Sequence, residues 1–366
     1  MSLRIALLPG DGIGPEVTEE AVRILKNVAD HSGKTISFST HPIGGTAIDS
    51  DGTGLPERTL EACLGADAVL LGAVGNPKFD GRRPQDRPEA AILALRQALG
   101  GFANLRPAIC YTALAKRTPF QPERVRGANV LIIRELLGGL YYGEPRGFEA
   151  SGNTAFNTMI YSRHEVERIA HVGFERARER KKKLASIDKA NVLETSQLWR
   201  AVVNDVAKGY PDVALEHVFV DAAAMRLAIS PTSFDVMLCE NLFGDILSDQ
   251  AASIAGSLGL LPSATIGGKI DLYEPVHGSA PDIAGKGIAN PIGAIASVAM
   301  LLRYSVRMEN DALEIEHAIE EALASGARTK DIAGPGERVL STREMGQAVE
   351  DALHEVRDRK HSYHAV

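Results

Sequence analysis

The chain has 366 residues, 45% of them apolar and 24% charged, with a formal net charge of −7. That length exceeds a typical single core and predicts two domains. The acidic balance argues against a general nucleic-acid or anionic-membrane binder, and no apolar run is long enough to span a bilayer. Cys63, Cys110 and Cys239 are odd in number and far apart. They read as buried thiols of a cytoplasmic enzyme and not as a disulfide or zinc framework.

Residues 4–8 read as a strand with no signal-peptide pattern before it. The loop Gly10-Asp11-Gly12-Ile13-Gly14 follows. It stands where a dinucleotide fingerprint would stand, but Pro15 occupies the place of the third glycine, so a standard Rossmann fold is not expected. Pro15 suits a first helical turn, and Val17, Ala21, Ile24, Leu25 and Val28 mark one apolar face of a helix to about residue 31. Residues 66–72 have the pattern of a buried strand, and 89–99 that of a short helix. Ser162 and Glu165 form a capping box opening a helix to about residue 183, whose end carries the solvated run Lys181-Lys182-Lys183. Strands are predicted at 184–187, 215–220 and 236–238, with helices at 192–209 and 221–228. The C-terminal part reads as helical with a charged tail, in which His354, His361 and His364 are exposed and without function. Alternation of this kind predicts an α/β fold with a mostly parallel central sheet.

The most informative stretch is Asn241 to Asp249. It reads as helix and sets Asp245 and Asp249 one turn apart on one face. Like charges so placed repel unless something positive lies between them. A divalent cation with hard oxygen ligands, Mg²⁺ or Mn²⁺, is the obvious candidate, although spacing alone more often marks a solvated face. Residues 256–293 are rich in glycine and proline. Such a stretch lets backbone approach a ligand closely, but a set of structural turns explains it equally.

Six segments in fixed order carry a resemblance: LPGDGIGPE, FANLRP, GGLYYGEPRG, DKANVLETSQLWR, NLFGDILSDQA and EPVHGSAPDIAGKGIANP. Together they resemble the isopropylmalate/isocitrate family of metal-dependent β-decarboxylating dehydrogenases, from the first strand to about Gly346. The resemblance implies NAD⁺-dependent oxidation of (2R,3S)-3-isopropylmalate, then loss of CO₂ to give 4-methyl-2-oxopentanoate, a step of leucine biosynthesis. Homoisocitrate, tartrate or malate are the alternative substrates, and a non-catalytic regulatory paralogue is the alternative of another class.

By the same resemblance, Arg96, Arg106 and Arg134 bind the substrate carboxylates. Planar guanidinium groups suit that work. Asp245 and Asp249, with Asp221 from a second subunit, hold the metal and meet the substrate. Lys189 accepts the hydroxyl proton, aided by burial near cations, and Tyr141 protonates the product of decarboxylation. Glu89, Ile92, Leu93 and Val192 shape the substrate pocket, the apolar members offering a wall to an isopropyl group. Ala91 stands where the family usually has Gly, and Leu137 where it has Thr. Ile13, Gly75 and the loop to Pro88 are expected near the nicotinamide. His277, Gly278, Ser279, Ala280, Asp282, Ile283, Asn290 and Asp331 are expected on the adenosine side, with Asp282 repelling a 2′-phosphate and so selecting NAD. The implied fold is the two-domain one of that family: residues 1–101 and 256–366 bind the cofactor, and 102–255 bind substrate and metal and form a homodimer with shared sites. No nucleic-acid or membrane partner is expected.

Overall fold

The structure, a computed structural model, describes residues 3–364, with side chains described through residue 359. His354 is exposed, while the His361 and His364 side chains lie outside the described residues. Two compact units emerge: Met1–Gly101, Tyr111–Pro119 and Ala255–Val366 form the first, Phe102–Cys110 and Phe120–Ile254 the second.

In chain order, β1 (Leu3–Gly10) is followed by α1 (Gly14–His31), β2 (Ile36–Thr40), α2 (Gly45–Asp51), α3 (Glu57–Leu64), β3 (Ala68–Ala73) and α4 (Pro88–Leu99). Next come β4 (Ala103–Ile109), α5 (Pro122–Val125), β5 (Asn129–Glu135), the hairpin β6 (Gly147–Phe148) and β7 (Ala155–Phe156), and α6 (Arg163–Arg178). Then follow β8 (Lys183–Asp188), α7 (Glu194–Ala207), β9 (Ala214–Phe219), α8 (Val220–Ile229), β10 (Val236–Cys239) and α9 (Asn241–Ala255). The chain closes with β11 (Pro262–Ile266), β12 (Leu272–Pro275), α10 (Ile292–Leu301), α11 (Glu309–Ala324) and α12 (Thr342–His364).

In the first unit the strands run β2-β1-β3-β12-β11, parallel except for β11 against β12. In the second they run β4-β5-β10-β8-β9, parallel except for β4 against β5. Every residue of β3 is buried, as a parallel strand covered on both faces requires. The apolar face of α1 is wholly buried, with Pro15 in its first turn and Glu16 at its positive end. Helix α10 is buried on every side and packs against α1, α11, β11 and β12. Cys63, Cys110 and Cys239 are buried and form no disulfide among the described residues, and burial pushes the Cys63 thiol up to about 12 and raises the other two. No helix among the described residues is long and apolar enough to cross a membrane.

One expected boundary is corrected. Ser162 caps α6 with the predicted box, but the helix stops at Arg178. The lysine run does not close it. Lys182 turns into the left-handed region at φ 57°, its amide bonding to the Ala177 carbonyl, and Lys183 already belongs to β8. Arg180 and the Lys181 amide both bond to buried Asp235, which anchors the turn. The three lysines are exposed, as expected of a solvated run.

The glycine loop after β1 is built around a buried acid. Gly10 has φ +73°, and a Cβ there would fall 1.9 Å from the Ala73 carbonyl oxygen. Gly12 has φ +59°, and its Cβ would fall 1.9 Å from the Ser279 carbonyl oxygen. Asp11 between them is 3% exposed. Its carboxylate accepts the amides of Gly45 and Thr46 at 2.8 Å and of Gly75 at 2.9 Å, plus the Thr46 hydroxyl at 3.0 Å. One side chain thus caps α2 and ties together the loops after β1 and β3. Asp11→Asn turns an acceptor into a donor facing these amides. The expected loss is about 2–3 kcal/mol of stability, read from urea unfolding; a loss below about 0.5 kcal/mol would show that the carboxylate does not organise these loops.

Candidate active site

In the second unit, α9 presents Asp245 and Asp249 on one face. Arg106, from β4, lies 3.6 Å from a carboxylate oxygen of each through Nη1. Its Nε donates to Asn104 Oδ1 and its Nη1 also to Ser248 Oγ, both at 2.7 Å. Arg134, from β5, is 2% exposed. It donates to Asp245 Oδ1 at 2.5 Å and to Asn241 Oδ1 at 3.0 and 2.8 Å. The Tyr141 hydroxyl donates to Asp245 Oδ2 at 2.7 Å, and the Arg134 guanidinium lies 5.6 Å from the Tyr141 ring centre.

These contacts set the electrostatics. Burial first, then the hydrogen bond to Asp245 and its charge, push the Tyr141 phenol up to about 12. Asp249 sits above the ordinary carboxylate range through partial desolvation; the Asp245 charge adds to this and Arg106 opposes it. The Asp249 side chain is 61% exposed, so water screens much of that effect.

Lys189 and Asp221 form a separate pair in the same unit, with Nζ 2.6 Å from Oδ1. This corrects one expectation: the charge against Lys189 is the anion Asp221, not a cation. The hydrogen bond from Lys189 holds the Asp221 carboxyl below its usual range. Lys189 follows buried Asp188, which Arg200 grips through two bonds of 2.8 Å. Val192, in the turn before α7, is 61% exposed. Among the described residues, no three acidic, histidine or cysteine side chains are placed to hold a metal ion, so Asp221 does not join Asp245 and Asp249 within one chain.

The first unit gathers the residues expected around the cofactor. The Ile13 amide bonds to the Ser279 carbonyl at 2.8 Å, joining the glycine loop to the segment after β12. Ala280 in that segment holds φ +40°, a strained value for a residue with a Cβ. His277 is buried. Its Nδ1 contacts the Gly278 carbonyl at 2.9 Å, which assigns the proton to Nδ1, while Nε2 is buried without a hydrogen-bond partner. Burial lowers its pKa and keeps it neutral. Asn290 donates to Asp331 at 3.0 Å, and Gly259 packs against both. Gly278 and Asp282 are exposed, and Ile283 is half-buried. Arg96, at the end of α4, pairs with Glu274 at 2.6 Å. On the same helix Glu89 is exposed, Leu93 half-buried, and Ile92 leans on the core around Leu71, Leu95 and Leu272.

The sequence profile described as isocitrate/isopropylmalate dehydrogenase matches residues 4–349. The chain belongs to this family. It is 52% identical to 3-isopropylmalate dehydrogenase of Geobacillus kaustophilus, over 96% of this chain and 95% of that one. It is 54% identical to 3-isopropylmalate dehydrogenase of Pseudomonas putida, over 96% and 99%. Among solved structures, isocitrate dehydrogenase from Methylococcus capsulatus superposes with a TM-score of 0.86 at 36% identity, over 96% and 99% of the two chains. Beta-decarboxylating dehydrogenase from Thermococcus kodakarensis does so with a TM-score of 0.79 at 37% identity, over 96% of each.

Within this family frame, sequence reasoning passed over several residues the geometry singles out. Asn241 holds Arg134 through Oδ1 and the carbonyls of Leu136 and Gly138 through Nδ2 at 3.1 and 3.0 Å. Glu240, Glu135, Tyr161, Asp11, Asp188 and Arg200 are likewise buried or paired supports. Asp11, Asp188, Arg200 and Asn241 do lie inside the quoted motifs, which was the one available signal. The Asp245–Tyr141 bond carries a direct test. Removing a neighbouring negative charge makes a phenol easier to ionise, so Asp245→Asn should bring the Tyr141 transition down from about 12 towards 10. Tyrosinate absorbance against pH, with Tyr141→Phe as the blank, measures it. An unmoved transition would show that Asp245 does not govern this phenol.

Proposed function

We propose that the chain catalyses the oxidative decarboxylation of (2R,3S)-3-isopropylmalate to 4-methyl-2-oxopentanoate and CO₂ in leucine biosynthesis, with NAD⁺ and Mg²⁺ or Mn²⁺, in the cytoplasm. The observation that carries this reading is the Asp245 carboxylate, shared by Arg134 and the Tyr141 hydroxyl and set one turn from Asp249. It brings acid, cation and anion together where a 2-hydroxy acid needs all three. The names of the relatives, at 51–54% identity, support the substrate.

The donor set fits a hard divalent ion: two carboxylates on one helix face, mutually repelling, and in the Asp249 case largely exposed. In the first unit, the orphaned buried Nε2 of His277 is an acceptor of the kind an adenine amino group would satisfy. When bound, the divalent cation supplies Lewis-acid polarisation of the substrate's hydroxyl and ketone oxygens, and NAD⁺ supplies the hydride acceptor.

The chain's own residues do the rest. Arg96, Arg106 and Arg134 orient the two substrate carboxylates, with Arg106 and Arg134 already fixed by Asn104, Ser248 and Asn241. Lys189 accepts the hydroxyl proton, directly or through water, and Asp221 at 2.6 Å stabilises the resulting ammonium. Tyr141 delivers a proton to the carbon that has lost CO₂. Leu93, Ile92 and Val192 offer apolar surface to the isopropyl group, worth about 0.8 kcal/mol per buried CH₂. A third carboxylate there would be left unpaired. Exposed Asp282 suits ribose hydroxyls and repels a 2′-phosphate. In this reading Ile13, Gly75, Gly278, Ser279, Ala280, Ile283, Asn290 and Asp331 complete the cofactor site, the first unit binds the cofactor, and the second binds substrate and metal and dimerises.

The homodimer is part of the proposal. Met225, Ile229 and Ile246 are each at least half exposed, and Ile246 adjoins Asp245 in sequence. An apolar side chain beside a candidate metal ligand suits a face covered by a second copy. That copy would bring the missing acid, the partner subunit's Asp221, together with its paired lysine. Two outcomes test these ideas. NADH should form with 3-isopropylmalate and be abolished by EDTA, with higher kcat/KM for NAD⁺ than for NADP⁺; turnover only on homoisocitrate, tartrate or malate would overturn the substrate assignment. Mixing inactive Lys189→Ala and Asp245→Ala subunits should restore about one working site per heterodimer. Mixed dimers with no activity would refute sharing.

A further inference from the structure

The Tyr161 hydroxyl is the meeting point of three groups in the second unit. It accepts the Asn241 amide at 2.9 Å, and it lies 3.2 Å from Glu135 Oε2 and 3.4 Å from Glu240 Oε2. All the side chains involved are buried, Glu135 completely. A phenol carries one proton and satisfies one carboxylate at a time. Both carboxylate distances exceed the usual O–H···O separation of about 2.7–2.8 Å, as suits one proton divided between two acceptors. Desolvation raises both carboxyls, while the backbone amides they accept pull the other way.

Glu135 Oε1 also accepts from Arg168 Nη2 at 3.4 Å; the backbone bonds of both carboxylates lead to the candidate site. Glu240 caps α9, accepting the amides of Leu242 at 3.0 Å and Phe243 at 2.9 Å. Glu135 accepts the amides of Leu137 at 3.1 Å and Gly138 at 2.8 Å. Those residues open the turn that carries Tyr141. The Tyr161 ring lies directly against this turn: a Cβ at Gly138 would be 2.7 Å from Tyr161 Cε1, and one at Gly139 2.7 Å from the hydroxyl oxygen. The Gly139 amide bonds to the Ile160 carbonyl at 3.0 Å, next to Tyr161 in sequence. Behind, the Tyr161 ring meets Trp199 edge-on, with centroids 5.7 Å apart. Tyr161 therefore touches the Tyr141 turn, the start of α9 and the core without reaching Tyr141 or Asp245 itself.

We propose that Tyr161 is a positioning residue for proton delivery by Tyr141: its hydroxyl, shared by Glu135 and Glu240 and accepting the Asn241 amide, locks the 137–141 turn against α9. This rests on the reading that Tyr141 hands over the proton after CO₂ leaves. Tyr161→Phe keeps the ring against the two glycines and Trp199 and removes only the hydroxyl. The expected result is a fall in kcat of about tenfold, with KM for 3-isopropylmalate and NAD⁺ within about twofold of the parent. The solvent-deuterium isotope effect on kcat should rise, because the proton step becomes slower. Glu135→Gln should give the same pattern, and it serves as the deciding variant if Tyr161→Phe does not fold. A kcat within about twofold of the parent, or a KM rising in step with the fall in kcat, overturns the positioning role. A parent protein that turns over no 2-hydroxy acid overturns the functional reading and this inference with it. An active parent with an unaffected Tyr161→Phe overturns the inference alone.

Discussion

A single carboxylate, Asp245, is claimed by two guanidinium groups and a phenol. Arg134 and Tyr141 bind it directly, and Arg106 stands between it and Asp249. Each partner comes from a different element, so the arrangement holds only while α9, β4, β5 and the 137–141 turn keep their places. Arg134 is almost fully buried, and removing its anion would leave an uncompensated charge at a cost of about 3–5 kcal/mol. Binding chemistry and local folding are thus the same problem in this unit. The first turn of α9 is where both are settled, since Glu240 and Tyr161 satisfy its leading amides and Asn241 ties it to Arg134.

The first unit solves an analogous problem with Asp11. A buried acid there gathers the amides of Gly45, Thr46 and Gly75, so the glycine-rich segments are held by the chain itself. Ala280 keeps a left-handed conformation, and Gly12 lets the chain pass close to Ser279. In the proposed reading these loops hold the cofactor, and segments already ordered by buried hydrogen bonds lose less entropy on binding.

Much of this was readable in the residues. Spacing placed Asp245 and Asp249 on one helix face, Pro15 marked a helix start, and the motif resemblance named the arginines, Tyr141 and Lys189. What stayed hidden has a common cause: periodicity identifies an element but not its neighbour. The antiparallel pairings of β4 with β5 and β11 with β12 involve four strands that the sequence pattern did not mark at all. Glu135 and Glu240 look like ordinary acids, because the tyrosine between them is 26 and 79 residues away. The lysine run looked like a helix end because nothing local reveals that Asp235, 55 and 54 residues on, anchors a turn at Arg180 and Lys181.

The three sealed sulfurs have a practical side. Cys63 belongs to the first unit, and Cys110 and Cys239 to the second. Burial keeps each thiol protonated and out of reach, so an alkylating reagent meets a sulfur only when the surrounding structure opens. The chain therefore carries its own reporters of breathing, one in one half and two in the other, ready to be followed by mass spectrometry without adding a label site.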